Sequence, residues 1–153
     1  MSIRCNITIH CGETDIRPVI LYHHDDGHPE FQMKKLKSFL KSTYEALLEN
    51  KTPYWWDPER VAAVMIKNSA DNYIGWNKSR AAREECGKGI VPRYQPCARL
   101  QCDIRYLYRV VLDRHNYGKV TIYCYSVESI LSDFEEITRR NPIKTNRYNF
   151  SCQ

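Results

Sequence analysis

The chain has 153 residues, 42% hydrophobic and 27% charged, which fits one domain with a single core. It holds no apolar run of about 18 residues to cross a bilayer, so no membrane role is expected. The net charge of +5 suits an anionic partner such as a nucleotide, a nucleic acid or an acidic protein surface without demanding one. Met1 to Asn6 lacks the charged and then apolar layout of a secretory signal, and the seven cysteines are an odd count. Both fit thiols in a reducing cytoplasm better than a disulfide framework.

Residues 2–10 alternate, with Ile3, Cys5, Ile7 and Ile9 opposite Arg4, Asn6, Thr8 and His10, the period of a half-buried strand. Cys11 to Asp15 is turn chemistry, and the β-branched run over 16–23 completes a hairpin. Asp25-Asp26-Gly27 breaks it. Pro29 then opens a helix over residues 29–49, with Phe31, Leu36, Phe39, Leu40, Leu47 and Leu48 near helical spacing. After a loop holding Pro53, Asp57-Pro58-Glu59 supplies a cap, a first-turn proline and an acid for a second helix, whose stripe is Val61, Val64, Met65 and Asn68. The adjacent Trp55 and Trp56 are expected to split, one into the core and one to the surface.

A further short helix over 76–86 is left open, and residues 87–99, with two glycines and two prolines, read as a long loop. From Asp103, alternation of Ile104, Tyr106, Tyr108, Val110 and Leu112 with Arg105, Leu107, Arg109 and Val111 marks a strand. A turn at 114–118 returns the chain through residues 119–125 as a second hairpin. Ser126 is positioned to cap a last helix with a stripe of Val127, Ile130, Leu131, Phe134 and Ile137, ended by Asn141-Pro142. The expected architecture is α+β: an antiparallel sheet of about four strands, made of two hairpins, with helices packed on one face. Residues 1–142 form the single domain of this reading and residues 143–153 a loose polar tail.

Two segments carry a resemblance. Leu21-Tyr22-His23-His24-Asp25-Asp26-Gly27-His28-Pro29-Glu30, followed by a helix through Lys37-Ser38-Phe39-Leu40 and later by Asp103-Ile104-Arg105-Tyr106-Leu107-Tyr108, resembles a family of small uncharacterised proteins of bacteriophages and prophages. That family carries a Tyr-x-His-x-Asp-Gly-x-Pro turn and an Asp-Ile-x-Tyr-x-Tyr strand. Tyr22, His24, Asp26, Gly27 and Pro29 match the first, and Asp103, Ile104, Tyr106 and Tyr108 the second. The chain departs at His23, Asp25 and His28, where relatives more often carry an arginine and aromatic residues. The resemblance spans about two-thirds of the chain and brings no established activity. It implies a viral setting, in which small accessory proteins frequently act against host defences.

Three chemistries compete at residues 23–28. In the first, His24, Asp26 and His28 hold a metal with an open position that activates water, making a small metal-dependent hydrolase. In the second, Tyr22, His24 and Asp26 join a hairpin rich in Tyr106, Tyr108, Tyr123 and Tyr125 and carrying Arg105 and Arg109, a ligand-binding surface of aromatic faces and guanidinium groups. In the third, Asp26 caps the first helix and the tyrosines are packing residues. No nucleophile elbow or glycine-rich phosphate loop is present in the sequence, and Cys97 and Cys102, with Cys86 the one other cysteine nearby, lack the second pair of a structural zinc site. The leading expectation is therefore a phage-type accessory protein without cofactor. It inhibits a host defence system by binding, either sequestering a nucleotide signal or occluding a host protein. Self-association and nucleic-acid binding stay open.

Overall fold

Two chain reversals at positive-φ glycines set the sheet, Gly12 at φ 81° and Gly118 at φ 90°. The computed structural model describes residues 3–24, 26–51, 54–71, 94–128 and 133–152. Strand β1 (Cys5–Cys11) turns into β2 (Val19–His23), and helices α1 (Pro29–Glu49) and α2 (Pro58–Asp71) follow. After β3 (Gln95–Cys97), strands β4 (Tyr106–Leu112) and β5 (Lys119–Ser126) form the second hairpin, followed by α3 (Phe134–Thr138), β6 (Lys144–Asn149) and a closing 3₁₀ turn (Phe150–Cys152). The strands lie in the order β3-β2-β1-β4-β5-β6.

The α+β class and both hairpins agree with the sequence reading, but the sheet differs from it in two ways. It has six strands rather than four, and it is mixed rather than antiparallel, because β1 and β4 run parallel from Cys5 opposite Tyr106 to Cys11 opposite Leu112. The parallel join arises because β2 runs antiparallel to β1 and the chain, after α1, α2 and β3, comes back in β4 antiparallel to β2 and beside β1. Both extra strands are edges. β3 has three residues, one of them Pro96, and β6 falls in the stretch expected to be a loose tail. The expectations for residues 76–86 and 87–93 lie outside the described residues.

One face of the sheet presents Ile7, Ile9, Leu21, Tyr108, Val110, Leu112, Val120 and Ile122 to the buried side of α1, where Met33, Leu36, Phe39, Leu40, Tyr44 and Leu47 recur every three or four residues. Helix α2 adds Val61 and Met65 from beneath the cap it gains when Asp57 Oδ1 accepts from Glu59 N at 3.1 Å and Arg60 N at 3.3 Å. The opposite face carries a smaller cluster of Ile104, Leu107, Tyr125, Val127 and Ile137. Ile137 belongs to α3, so the helices do not all share one face. The cap of α3 is Asp133, which accepts from Glu136 N at 2.9 Å, while Ser126 ends β5. Ile130 and Leu131 lie outside the described residues.

Gly118 sits in a tight aromatic corner: a Cβ there would meet Tyr44 Cε2 at 3.0 Å and the Ser151 backbone nitrogen at 3.1 Å. Tyr44, Trp55, Tyr117 and Phe150 make up that corner with ring centroids 5.2–6.2 Å apart. Trp55 is fully buried and its indole donates to the Lys119 carbonyl at 3.0 Å, whereas Trp56 is 47% exposed. The two tryptophans split as expected. Trp55→Ala should therefore cost roughly 3–5 kcal/mol by denaturant unfolding and Trp56→Ala about 0.5 kcal/mol. Equal losses would contradict this packing.

Candidate functional site: the glycine turn and the polar sheet face

Strand alternation divides the histidine turn before any chemistry begins. Leu21 and His23 point to the helix side, where the His23 ring lies 5.2 Å from that of Tyr94, and Tyr22 points to the other. His24 is exposed, its Nδ1 3.1 Å from the Tyr22 hydroxyl. Asp26 adopts a left-handed φ of 55° and accepts from Lys35 Nζ at 2.7 Å. It is not the cap of α1: that place belongs to His28, whose Nδ1 faces the Glu30 amide at 3.4 Å, with Pro29 in the first helical position. An aspartate at positive φ directs its carboxylate back along the helix flank, and the next extended residue takes the cap.

Gly27 is the fixed point of the turn. Its amide donates to the Ile3 carbonyl at 2.8 Å, and a Cβ in its place would lie 2.7 Å from that same oxygen. Its carbonyl accepts from the Tyr108 hydroxyl at 2.6 Å in a buried bond. The two recognisable motifs therefore meet, and they meet inside the fold. Tyr108 is fully buried, and burial, with Cys124 and Cys5 nearby, pushes its hydroxyl far above the ordinary phenol range. Tyr106 lies half-buried on the same side, edge-on to the His28 ring at 5.6 Å. Asp103 forms an ion pair with Arg4, Ile104 is buried in the smaller cluster, and Arg105 is exposed.

Arg109 faces away from α1 and α2 and gathers Tyr123 and Tyr125, which the sequence reading places with it, and Glu13, which that reading misses. Its guanidinium donates to Glu13 Oε2 at 3.0 Å and to the Glu13 carbonyl at 2.7 Å, and it lies 5.4 Å from the centre of the Tyr123 ring. Tyr123 donates to Glu13 Oε1 at 2.6 Å, and Tyr125 stands 6.5 Å further along β5. Glu13 is delivered by the Gly12 turn, which sequence reasoning took only as a connection. Its signal was an acid in a hairpin turn beside a strand of alternating arginine and tyrosine. Of the residues expected to bind, Tyr22 and Arg109 share this face, separated by Asn6 and Thr8 of β1. His24 and Asp26 sit at the turn, and Tyr106 and Tyr108 lie on the opposite side.

Beneath the cluster runs a buried polar row. Asn6 donates to the Leu21 carbonyl at 2.9 Å and accepts from Gln101 N at 2.8 Å. His10, 1% exposed, places Nδ1 3.0 Å from the Asp15 carbonyl and Nε2 2.9 Å from Thr8 Oγ1, with its ring stacked 5.5 Å from Phe134. Burial holds the His10 pKa below the usual histidine range, and Arg109 adds to the effect against the opposing pull of Asp15 and Glu13.

Four of the described thiols are shifted away from ionisation. Burial raises Cys5, Cys11 and Cys97 and takes Cys124 up to about 11, so these cysteines stay protonated and behave as small apolar groups. Among the described residues no cluster of three or more His, Cys, Asp or Glu is arranged to hold a metal ion. No helix there is long and apolar enough to cross a membrane. What the polar face offers is directed hydrogen bonds, a cation over a ring and tyrosine surface.

Tyr108→Phe should leave the Gly27 carbonyl buried without its donor and cost about 1–3 kcal/mol, while Gly27→Ala should cost at least as much because backbone must move. Unfolding free energies with little coupling between the two changes would contradict the shared bond. A histidine with a depressed folded-state pKa takes up its proton more readily in the unfolded chain, so its contribution is complete above 6.5 and is lost as pH falls below that value. His10→Gln should flatten the decline in stability between about pH 6.5 and 5, and an unchanged slope would rule out His10 as its source.

No family model, curated protein or solved structure matches the chain.

Proposed function

We propose that the chain is a phage-type accessory protein that inhibits a host defence system by binding, and that the target it occludes is a host protein rather than a nucleotide signal. The observation that carries this reading is the Glu13–Arg109–Tyr123 array, which is internally hydrogen-bonded and still reaches the surface, with the Glu13 side chain 54% exposed. Arg109 already has its fork filled by Glu13, so a phosphate would have to displace a carboxylate of like charge. A protein surface makes no such demand, because it gains from prearranged tyrosine and arginine side chains that lose little freedom on binding. The viral setting rests on the resemblance of the two motifs to the phage-type family. A small metal-dependent hydrolase has less support, since the neighbours of His24, Asp26 and His28 are Tyr22, Lys35 and the Glu30 amide.

The test is phage plating on hosts that carry single defence systems, combined with native mass measurement of the protein recovered from the host it protects. Expression should restore plaques on at least one such host, and the recovered protein should carry a defence polypeptide. Arg109→Ala should lose both effects while keeping the wild-type melting temperature. A retained small molecule of nucleotide mass would reverse the choice of target, and no restored plaques on any defended host would sink the proposal.

A further inference from the structure

Among the described residues the six-stranded sheet has two unpaired edges of unlike character. At one end β3 spans three residues and includes Pro96, which has no amide to donate, so that edge offers little for further pairing. At the other end β6 pairs over six residues with β5, from Lys119 opposite Asn149 to Cys124 opposite Lys144. The Phe150 amide donates to the Gly118 carbonyl at 3.0 Å, which fixes the phase of the ladder. Hydrogen-bonded pairs recur at every second residue, so Tyr148 and Asn146 turn their backbone groups toward β5 and Arg147 and Thr145 turn theirs to the open side.

The side chains along this edge are cationic on both faces. On the helix side, Lys144 is exposed and Lys37 of α1 lies 5.2 Å from the centre of the Tyr148 ring. On the other side, Arg147 is exposed beside Thr121, in the same face as Tyr123 and Arg109. Lys37, Lys144 and Arg147 form no ion pair with a carboxylate among the described residues. We infer that β6 is a docking edge at which an extended acidic segment of a protein partner adds as a seventh strand. Alternate carboxylates of such a strand fall against Lys144 and Lys37 on one face and against Arg147 on the other, and the free amide and carbonyl groups of Thr145 and Arg147 supply the ladder. A second copy of this chain is the poorer occupant, because β6 contains Lys144 and Arg147 and no acid, so self-pairing brings like charges together. The inference rests on the reading that the protein works by binding another protein, and it names the chemistry of that partner.

The probe is a fluorescently labelled ten-residue peptide alternating glutamate with valine, titrated with the full chain and followed by anisotropy. Binding should weaken as salt rises, and a peptide with lysine in place of glutamate should not bind. Thr145→Pro removes an outward amide at an edge position, and the pair Lys144→Glu with Arg147→Glu reverses the charge while leaving the backbone intact. Each should weaken the glutamate peptide by at least roughly tenfold with the melting temperature retained. If Thr145→Pro does not fold, Thr145 amide protection from hydrogen exchange on adding the peptide replaces it. Three results would overturn the inference: wild-type affinity in the proline variant or no added amide protection, equal binding of the lysine peptide, or a wild-type dimer that β6 charge reversal alters. No binding of the glutamate peptide by the wild-type chain, with plaque restoration intact, would discard the edge and leave the proposed function standing. Failure of plaque restoration with peptide binding intact would do the opposite.

Discussion

A single glycine ties together the two strands at the centre of the sheet. Gly27 donates to the Ile3 carbonyl, two residues before β1, and accepts from Tyr108 on β4, the strand that pairs with β1 in parallel. Parallel pairing has no local turn to enforce it, so its register must come from side-chain packing and from contacts of this kind. The same residue begins the exit toward α1, with His28 as cap and Pro29 in the first turn, so the direction of the longest helix is set against both strands at once. With no room for a Cβ, the approach of turn to strand is available to glycine alone. The Asp-Gly-x-Pro signature thus has a mechanical cause: aspartate tolerates the positive φ, glycine the contact, and proline the helix start.

The two faces of the sheet solve different problems. The helix side is apolar and closed, and its thiols and the Tyr108 hydroxyl are held far from ionisation by burial. The other side buries Asn6, Thr8 and His10 in the middle of β1, which is affordable only because Asn6 and His10 each find partners on two sides. Two of those partners, Asp15 of the β1–β2 loop and Gln101, lie outside the strands, so the polar row holds loops that border the exposed cluster. Glu13 is held in place by Arg109 and Tyr123, and the hairpin turn bearing it is braced by Asp15, which accepts from the amides of Cys11 and Arg17.

Elements that bury one face announced themselves in the sequence, and elements that bury none did not. The alternation of Ile3 to Ile9 and of Ile104 to Leu112, and the helical spacing of Leu36, Leu40 and Leu47, exist because each must hide an apolar side, and α1 begins and ends where Pro29 and the loss of period place it. Lys144 to Asn149 has no such duty at the sheet margin, and its polar composition reads as tail. The parallel join of β1 and β4 was illegible for another reason: it is made by residues about a hundred positions apart, and no local pattern records it. Within the site, the turn is legible as a turn, but the reading in which Asp26 caps α1 does not hold, since His28 takes that place. The φ of 55° that removes Asp26 from that role is a tertiary outcome. Glu13 was hidden because an acid in a turn is ordinary until the strand facing it is known.

Under the proposed function, these two faces also separate stability from recognition. Tyr108, Gly27 and Trp55 contribute through the core, so changes there reach any function only by lowering the folded population. Arg109, Tyr123 and Arg147 stand on the opposite face, and β6 carries the last of them to the margin of the sheet. Since α1 and α2 cover the helix side, a partner that uses the tyrosine and arginine array approaches from the other side, next to the β6 edge. A partner strand added at that edge would lie beside Arg147 with β6 alone between it and Tyr123, so one extended segment could engage the backbone of β6 while the body of the same protein rests on the array. The mixed sheet makes this possible: by placing β1 and β4 at its centre, it leaves the β4–β5 hairpin and β6 together on one flank.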